Sequence, residues 1–160
     1  MKTRELQTHW WEWLGASERL LRTLHEQTAA LTLRDVARIE RLQPDLDSLL
    51  DQLRRIDDRA AACAQSLAES LGTEPNLRSL VQVLEKTEAQ QVQSVANRVM
   101  VAARNIAQIL NRNRALIESE MTYVNGTLTL IAQAAEGQPE TQTKYRRPSP
   151  TAAVLMDQAA

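Results

Sequence analysis

The most informative pattern in this chain is an apolar periodicity over residues 111–131. On a helix, one stripe recurs every three or four positions, and it consists of Leu110, Asn113, Ile117, Met121, Val124, Leu128 and Ile131. A second stripe, with a spacing of seven, consists of Ile109, Leu116, Tyr123 and Leu130. The two stripes cover roughly half of the helix circumference, whereas a core-facing helix needs an arc of only about 100°. The excess surface must pack against another helix or against a partner.

Helical spacing of apolar residues continues through the rest of the chain and predicts three long helices. They cover about residues 3–31, 33–71 and 76–135. With only four glycines and five prolines, the chain has few helix breakers between these points. The polar stretch 85–91 is where we expect a bend or break, which would give four segments. The predicted fold is an all-α antiparallel three-helix bundle or coiled coil with a long C-terminal helix.

Local signals predict where helix two begins and ends. Thr32 and Asp35 are candidate caps at its start, and Gly72 is expected to close it in a left-handed conformation. Thr73 is the candidate cap of helix three. Within helix two, Pro44 lacks an amide donor, so we expect a kink or a restart of the helix there.

The last part of the chain differs from the helical region. Residues 138–150 are polar and bounded by proline, so they bury too little apolar surface to fold alone. Residues 151–156 regain apolar character but are too few for a stable isolated helix. We therefore expect a helical bundle domain over residues 1–136 and a flexible tail over residues 137–160.

Composition and charge argue against several classes of function. The 19 basic and 20 acidic residues give a net charge of −1, so the chain lacks the single-sign field that attracts nucleic acid or an anionic membrane. The apolar runs are too short for a membrane span, and the N-terminus does not resemble a signal peptide. Cys63 is the only cysteine, so no internal disulfide can form. These features favour a cytoplasmic protein without stable membrane insertion.

The sequence shows no spacing typical of a catalytic or metal centre. His9 and His25 are far apart, and His25 lacks the second histidine that a zinc-binding helix carries four residues on. Carboxylates such as Asp57 and Glu118 lie near arginines and indicate a solvated surface with weak ion pairs. We therefore expect no enzyme activity, no cofactor and no metal site.

Three tryptophans form a group near the N-terminus. Trp10 and Trp13 share a helix face with Leu6, whereas Trp11 points away from it. One interpretation is two core tryptophans and one that is half-exposed. The others are a protein-contact patch and a membrane-surface anchor.

Residues 111–131 also resemble a known family. Two asparagines precede a Leu-Ile pair, a Val-Asn pair and a closing apolar stretch, here Asn111, Asn113, Leu116, Ile117, Val124, Asn125, Leu128, Leu130 and Ile131. The segment resembles the C-terminal helix of flagellar export chaperones of the FlgN type. Length, helix order and tail agree over most of the chain. The resemblance implies a small helical cytoplasmic protein that holds hook-associated junction proteins of the bacterial flagellum before secretion.

The resemblance further implies partners and contact residues. The cargo would be the terminal helical segments of FlgK and FlgL, delivered to the cytoplasmic domain of FlhA at the export gate. On this chain the implied cargo-binding positions are Leu116, Ile117, Met121, Tyr123, Val124, Leu128, Leu130 and Ile131. Tyr145 resembles the tail tyrosine that engages the gate.

Other interpretations of the same apolar surface stay open. Helices one and two could cover both stripes within a three-helix bundle. Alternatively, the stripes could drive self-association into a coiled-coil homo-oligomer without export cargo, or belong to a helical adaptor. If helices one and two cover both stripes, the stripes are buried in a single folded chain. If the stripes bind another copy of the chain or a partner, they are exposed.

Overall fold

A computed structural model describes residues 3–137 of the chain, and these residues form four α-helices. Helix α1 is Arg4–Thr32, α2 is Val36–Leu71, α3 is Leu77–Val83 and α4 is Lys86–Glu136. The prediction of an all-α helical bundle is confirmed, and the described residues have the four segments that a break near residues 85–91 implies.

The chain divides into two compact units, Met1–Asn111 and Arg112–Ala160. The first unit contains α1, α2, α3 and the first half of α4, and the second contains the rest of α4. The expected flexible tail falls on residues outside the described part of the chain, apart from Gly137. The division between a bundle domain and a tail therefore stays a prediction.

Within the first unit, α1 and α2 run antiparallel. Leu6 at the start of α1 packs in one cluster with Leu67 at the end of α2. Leu24, late in α1, packs in a second cluster with Leu46, early in α2. The connection between the two helices is three residues long, which suits antiparallel neighbours.

The first half of α4 runs parallel to α1. The Thr3 hydroxyl donates a hydrogen bond of 3.1 Å to Glu88 Oε1, which joins the beginnings of the two helices. Further along, Ile106 of α4 packs in the same cluster as Leu20 and Leu24 of α1. Three long helical segments therefore share the core of the first unit, with α2 antiparallel to the other two.

Aliphatic side chains form almost all of this core. Leu6, Leu20, Leu24 and Val92 are fully buried. Burying a leucine or valine side chain contributes about 1.5–3 kcal/mol relative to leaving it exposed. Apolar packing of this kind, and not isolated helix propensity, accounts for most of the stability of long helices in proteins.

Some of the residues predicted to cap the helix ends do so in the structure, and others do not. Asp35 Oδ1 accepts a hydrogen bond of 3.2 Å from the Arg38 amide, which confirms Asp35 as the N-cap of α2. Gly72 has φ 67° and closes α2 in the left-handed region, also as expected. Thr32 is not a cap of α2, because it is the last residue of α1.

The cap of α3 is Asn76, not Thr73. Asn76 Oδ1 accepts a hydrogen bond of 2.8 Å from the Ser79 amide. Asparagine and threonine can both cap a helix. Asn76 is the cap here because it directly precedes Leu77, the first residue of α3.

Of the kink or restart expected at Pro44, the restart is wrong, because α2 is continuous from Val36 to Leu71, and the kink stays a prediction. A proline inside a helix costs about 3 kcal/mol. The flanking Leu42 and Leu46 are both buried, and their burial is large enough to offset that cost.

The break in the third predicted helix lies at Leu84 and Glu85, at the beginning of the polar stretch 85–91. Leu84 has extended backbone angles and ends α3. The Glu85 carbonyl then accepts a hydrogen bond of 2.8 Å from the Ala89 amide as α4 begins. The helix expected over about 76–135 is therefore divided, near the expected point, into a seven-residue α3 and a 51-residue α4. The short α3 buries Leu80 in the cluster that contains Leu6.

The tryptophan group follows the interpretation of two core residues and one half-exposed residue. Trp13 is buried, Trp10 is half-buried, and Trp11 is 49% exposed. The Arg98 guanidinium lies over the Trp11 ring, 5.4 Å from its centroid, which is cation–π geometry. Trp11 thus contributes to contacts between α1 and α4 despite its exposure.

The connection between α1 and α2 contains a strained residue that allows a stability test. Arg34 has φ 55°, in the left-handed region where a side chain costs about 1–2 kcal/mol. We expect Arg34→Gly to raise the free energy of unfolding by about 1 kcal/mol, measured by urea denaturation. Arg34→Ala is the matched control, since it removes the same side chain atoms beyond Cβ but keeps the strain. Equal stabilities of the two variants would contradict the prediction.

Candidate functional site

The residues singled out from the sequence form a continuous apolar surface on the second half of α4. We call it the α4 face, and it consists of Leu116, Ile117, Met121, Tyr123, Val124, Leu128, Leu130 and Ile131. All of these residues lie within the second unit of the chain. Because they are on one helix, their relative positions are set by helical geometry alone.

Most of the α4 face is open to solvent. Leu130 is 67% exposed, Ile131 60% and Tyr123 57%. Ile117 and Met121 are less exposed, at 39% and 38%, and Leu116 is half-buried. The two stripes differ along their length: Ile109 and Leu110, at their beginnings, pack against the core of the first unit, whereas seven of the eight residues of the α4 face are exposed.

The arrangement of the α4 face matches that of a helix-binding surface. Ile117, Met121, Val124, Leu128 and Ile131 alternate spacings of four and three, which is the spacing of a coiled-coil seam. Leu116, Tyr123 and Leu130 widen this seam on one side. An exposed apolar surface that is continuous over several turns marks a site of protein–protein contact. The α4 face can therefore accept an apolar helix, and seven of its eight side chains are aliphatic or thioether groups, with Tyr123 as the exception.

Two asparagines next to the α4 face are buried, which the sequence analysis did not anticipate. Asn113 is 2% exposed and Asn125 is 7% exposed. The Thr129 hydroxyl donates a hydrogen bond of 2.9 Å to the Asn125 carbonyl. Both residues belong to the asparagine pattern on which the family resemblance depends. That pattern was the one feature of the sequence that set these two positions apart, although it did not predict their burial.

Charged side chains in the described part of the chain form the weak surface pairs that the sequence indicates. Arg114 Nε lies 3.2 Å from Glu118 Oε1 beside the α4 face, and Arg55 lies 2.8 Å from Asp51 on α2. These side chains are all about half-exposed or more, so each pair contributes little to stability. Burial raises the pKa of the Asp57 carboxyl and the neighbouring carboxylate of Asp58 raises it further, while the nearby Trp13 side chain opposes the shift.

A cluster outside the α4 face was missed at the level of sequence. Glu5, His9 and Cys63 lie close together in the first unit, although Cys63 is more than fifty residues from the other two. Burial, and secondarily the Glu5 carboxylate, raise the pKa of the Cys63 thiol. The spacing of four between Glu5 and His9 was the only sequence signal, because the position of Cys63 depends on how α1 and α2 pack.

Tyr145, implied as a gate-docking residue, lies outside the described residues 3–137, so its role stays a prediction. In the described region, no helix combines the length and the apolar character that crossing a membrane would require.

The described residues form an all-helical protein with an exposed apolar helix face, a surface typical of proteins that bind other proteins. The model of the FlgN protein family matches residues 1–148 of the chain. The chain therefore belongs to the FlgN family, whose members are flagellar export chaperones that bind flagellar export substrates. No curated protein and no solved structure gives a significant match.

The exposure of the α4 face can be tested by stability alone. We expect Leu130→Asp to change the free energy of unfolding by less than about 0.5 kcal/mol, because Leu130 is solvated in the folded chain. Leu24→Ala, at a fully buried position, should lower it by about 2–5 kcal/mol. Urea denaturation followed by circular dichroism measures both. A loss of stability in Leu130→Asp equal to that in Leu24→Ala would show that the α4 face belongs to a core.

Proposed function

We propose that this protein is a cytoplasmic chaperone that binds the terminal helical segments of FlgK and FlgL through the α4 face. It keeps these hook-associated proteins from assembling prematurely and delivers them to the cytoplasmic domain of FlhA at the export gate. Membership of the FlgN family supports the class of cargo. The exposure of the α4 face is the observation that supports the binding surface.

Apolar burial would supply the binding energy. A helical cargo segment with its own apolar stripe would lie along α4, with its side chains between those of the coiled-coil seam. The larger exposed residues, Tyr123, Leu130 and Ile131, offer the greatest area to remove from water. A standard interface covers about 800 Å² on each partner. A seam of this length can approach that area with a single helix as partner.

Release of the cargo requires that binding be reversible. Terminal segments that are unfolded before assembly must be ordered on the chaperone, and this ordering costs about 2–5 kcal/mol or more. The cost lowers the affinity without reducing the contact area. A moderate affinity suits a protein that holds a substrate until secretion.

The proposal assigns Tyr145 to docking at the export gate, on the basis of the family resemblance. The protein would act without catalysis, cofactor or covalent change in its cargo. Recognition of cargo and recognition of the gate would then use different parts of the chain, the α4 face and the segment around Tyr145.

Self-association through the same surface is the second candidate function. The observation that favours it is the alternation of four and three between Ile117 and Ile131, which two copies of the chain could share as a coiled coil. Such a homo-oligomer would cover the α4 face without any export cargo. Light scattering measures the molar mass of the purified chain with and without a cargo segment, and so distinguishes the two candidates. If the chain is a chaperone, added cargo should dissociate any homo-oligomer, because both would use the α4 face.

Binding to a C-terminal segment of FlgK tests the proposal. We expect Tyr123→Asp and Leu130→Asp each to weaken binding at least about tenfold in isothermal titration calorimetry, because each places a charge in an apolar interface. Val101→Asp is the matched control, since Val101 is an exposed apolar residue of the same helix, 54% exposed, but lies outside the α4 face.

The control should bind like the unmodified chain. Absence of binding by the unmodified chain at tens of micromolar, combined with a tight homodimer in light scattering, would overturn the proposal in favour of self-association. Equal weakening by all three substitutions would show that the α4 face is not the cargo surface.

A further inference from the structure

The first unit brings a carboxylate, an imidazole and a thiol together on two helices. Glu5 and His9 are four residues apart on α1, so their side chains lie on the same face of the helix. Cys63 is on α2, and the ligand atoms of the three side chains all lie within 4.8 Å of one another. We propose that Glu5, His9 and Cys63 form a zinc-binding site.

The orientation of the His9 ring supports this assignment. Its Nε2 lies 3.9 Å from Glu5 Oε1, on the side of the cluster, and its Nδ1 lies 3.9 Å from Glu12 Oε2. Nδ1 is buried and makes no hydrogen bond, and the side chain is only 14% exposed. Histidines that bind metal present one nitrogen to the ion and direct the other toward a carboxylate or carbonyl. Glu12 is placed to be that second partner.

The surroundings leave room for an ion. The groove that contains the cluster is lined on α2 by the small side chains of Ala62, Ser66 and Ser70. Arg59 also lines it, but its guanidinium donates a hydrogen bond of 3.1 Å to Glu12, which offsets its positive charge. The groove is open to solvent, so water can occupy a fourth coordination position.

The set of donors favours zinc among the common divalent ions. Thiolate and imidazole ligands select zinc over magnesium or calcium, which prefer oxygen. In a tetrahedral zinc site these ligand atoms would be about 3.4–3.6 Å apart, as follows from the usual bond lengths. Glu5 Oε1 lies 3.9 Å from His9 Nε2, close to that separation, and the Glu5 side chain is 77% exposed, so solvent surrounds most of it and leaves room for adjustment.

Binding would link the two helices. Zinc would form a bond to the Cys63 sulfur, and the thiol proton would leave to solvent. The ion would then join the beginning of α1 to the second half of α2 and stabilise the folded state by mass action. This site is in the first unit and does not depend on the proposed function of the α4 face.

Cobalt(II) is the spectroscopic probe for this site, added to the full chain kept reduced with a phosphine. We expect one cobalt ion per chain and a thiolate-to-cobalt charge-transfer absorption that zinc abolishes. Cys63→Ser should eliminate the absorption, and His9→Gln and Glu5→Gln should each weaken cobalt binding at least about tenfold. His25→Gln is the matched control and should bind like the unmodified chain, because His25 is exposed on the same helix but outside the cluster.

Thermal unfolding gives an independent measurement, with circular dichroism to check that each variant is folded. Zinc should raise the Tm of the unmodified chain and of His25→Gln, and leave that of Cys63→Ser unchanged. Absence of the charge-transfer absorption in the unmodified chain would overturn the proposal. So would cobalt binding that persists unchanged in His9→Gln, because Cys63 would then bind the ion without the cluster.

Discussion

Burial of apolar surface between helices is the interaction on which the rest of this structure depends. The apolar periodicity of α4 continues along its length, but its two halves have different environments. In the first half, Val92, Val95 and Ile106 are buried. In the second half, Val124 and Leu128 are each about half-exposed. The chemistry of the side chains is the same, so the difference lies in what covers them. The exposed second half of α4 is the surface that we propose for cargo binding.

Periodicity in the sequence predicted the type and approximate extent of the helices, because a helix of mixed character must place its apolar residues every three or four positions. The polar stretch 85–91 also indicated a break, and the structure has it at Leu84 and Glu85. At Pro44 the local signal favoured a kink or a restart, whereas α2 is continuous and the flanking Leu42 and Leu46 are buried. Tertiary packing therefore outweighed the local signal for a restart at Pro44.

The two candidate sites differ in what the sequence could reveal. The residues of the α4 face are close together in the chain, so helical spacing alone identified them, although only the structure shows their exposure. Glu5, His9 and Cys63 come from two helices, and their proximity follows from the antiparallel packing of α1 on α2. This chain of the FlgN family thus carries an exposed apolar surface on α4 and, in its other unit, a separate group of metal-binding residue types.

We propose that cargo binds the second half of α4. Hydrogen–deuterium exchange of the full chain, with and without a C-terminal segment of FlgK, can test this, because it reports protection along the backbone without any substitution. We expect the segment to slow exchange within residues 112–136 and to leave most of residues 4–111 unchanged. Slower exchange confined to residues 4–111, with residues 112–136 unaffected, would contradict it.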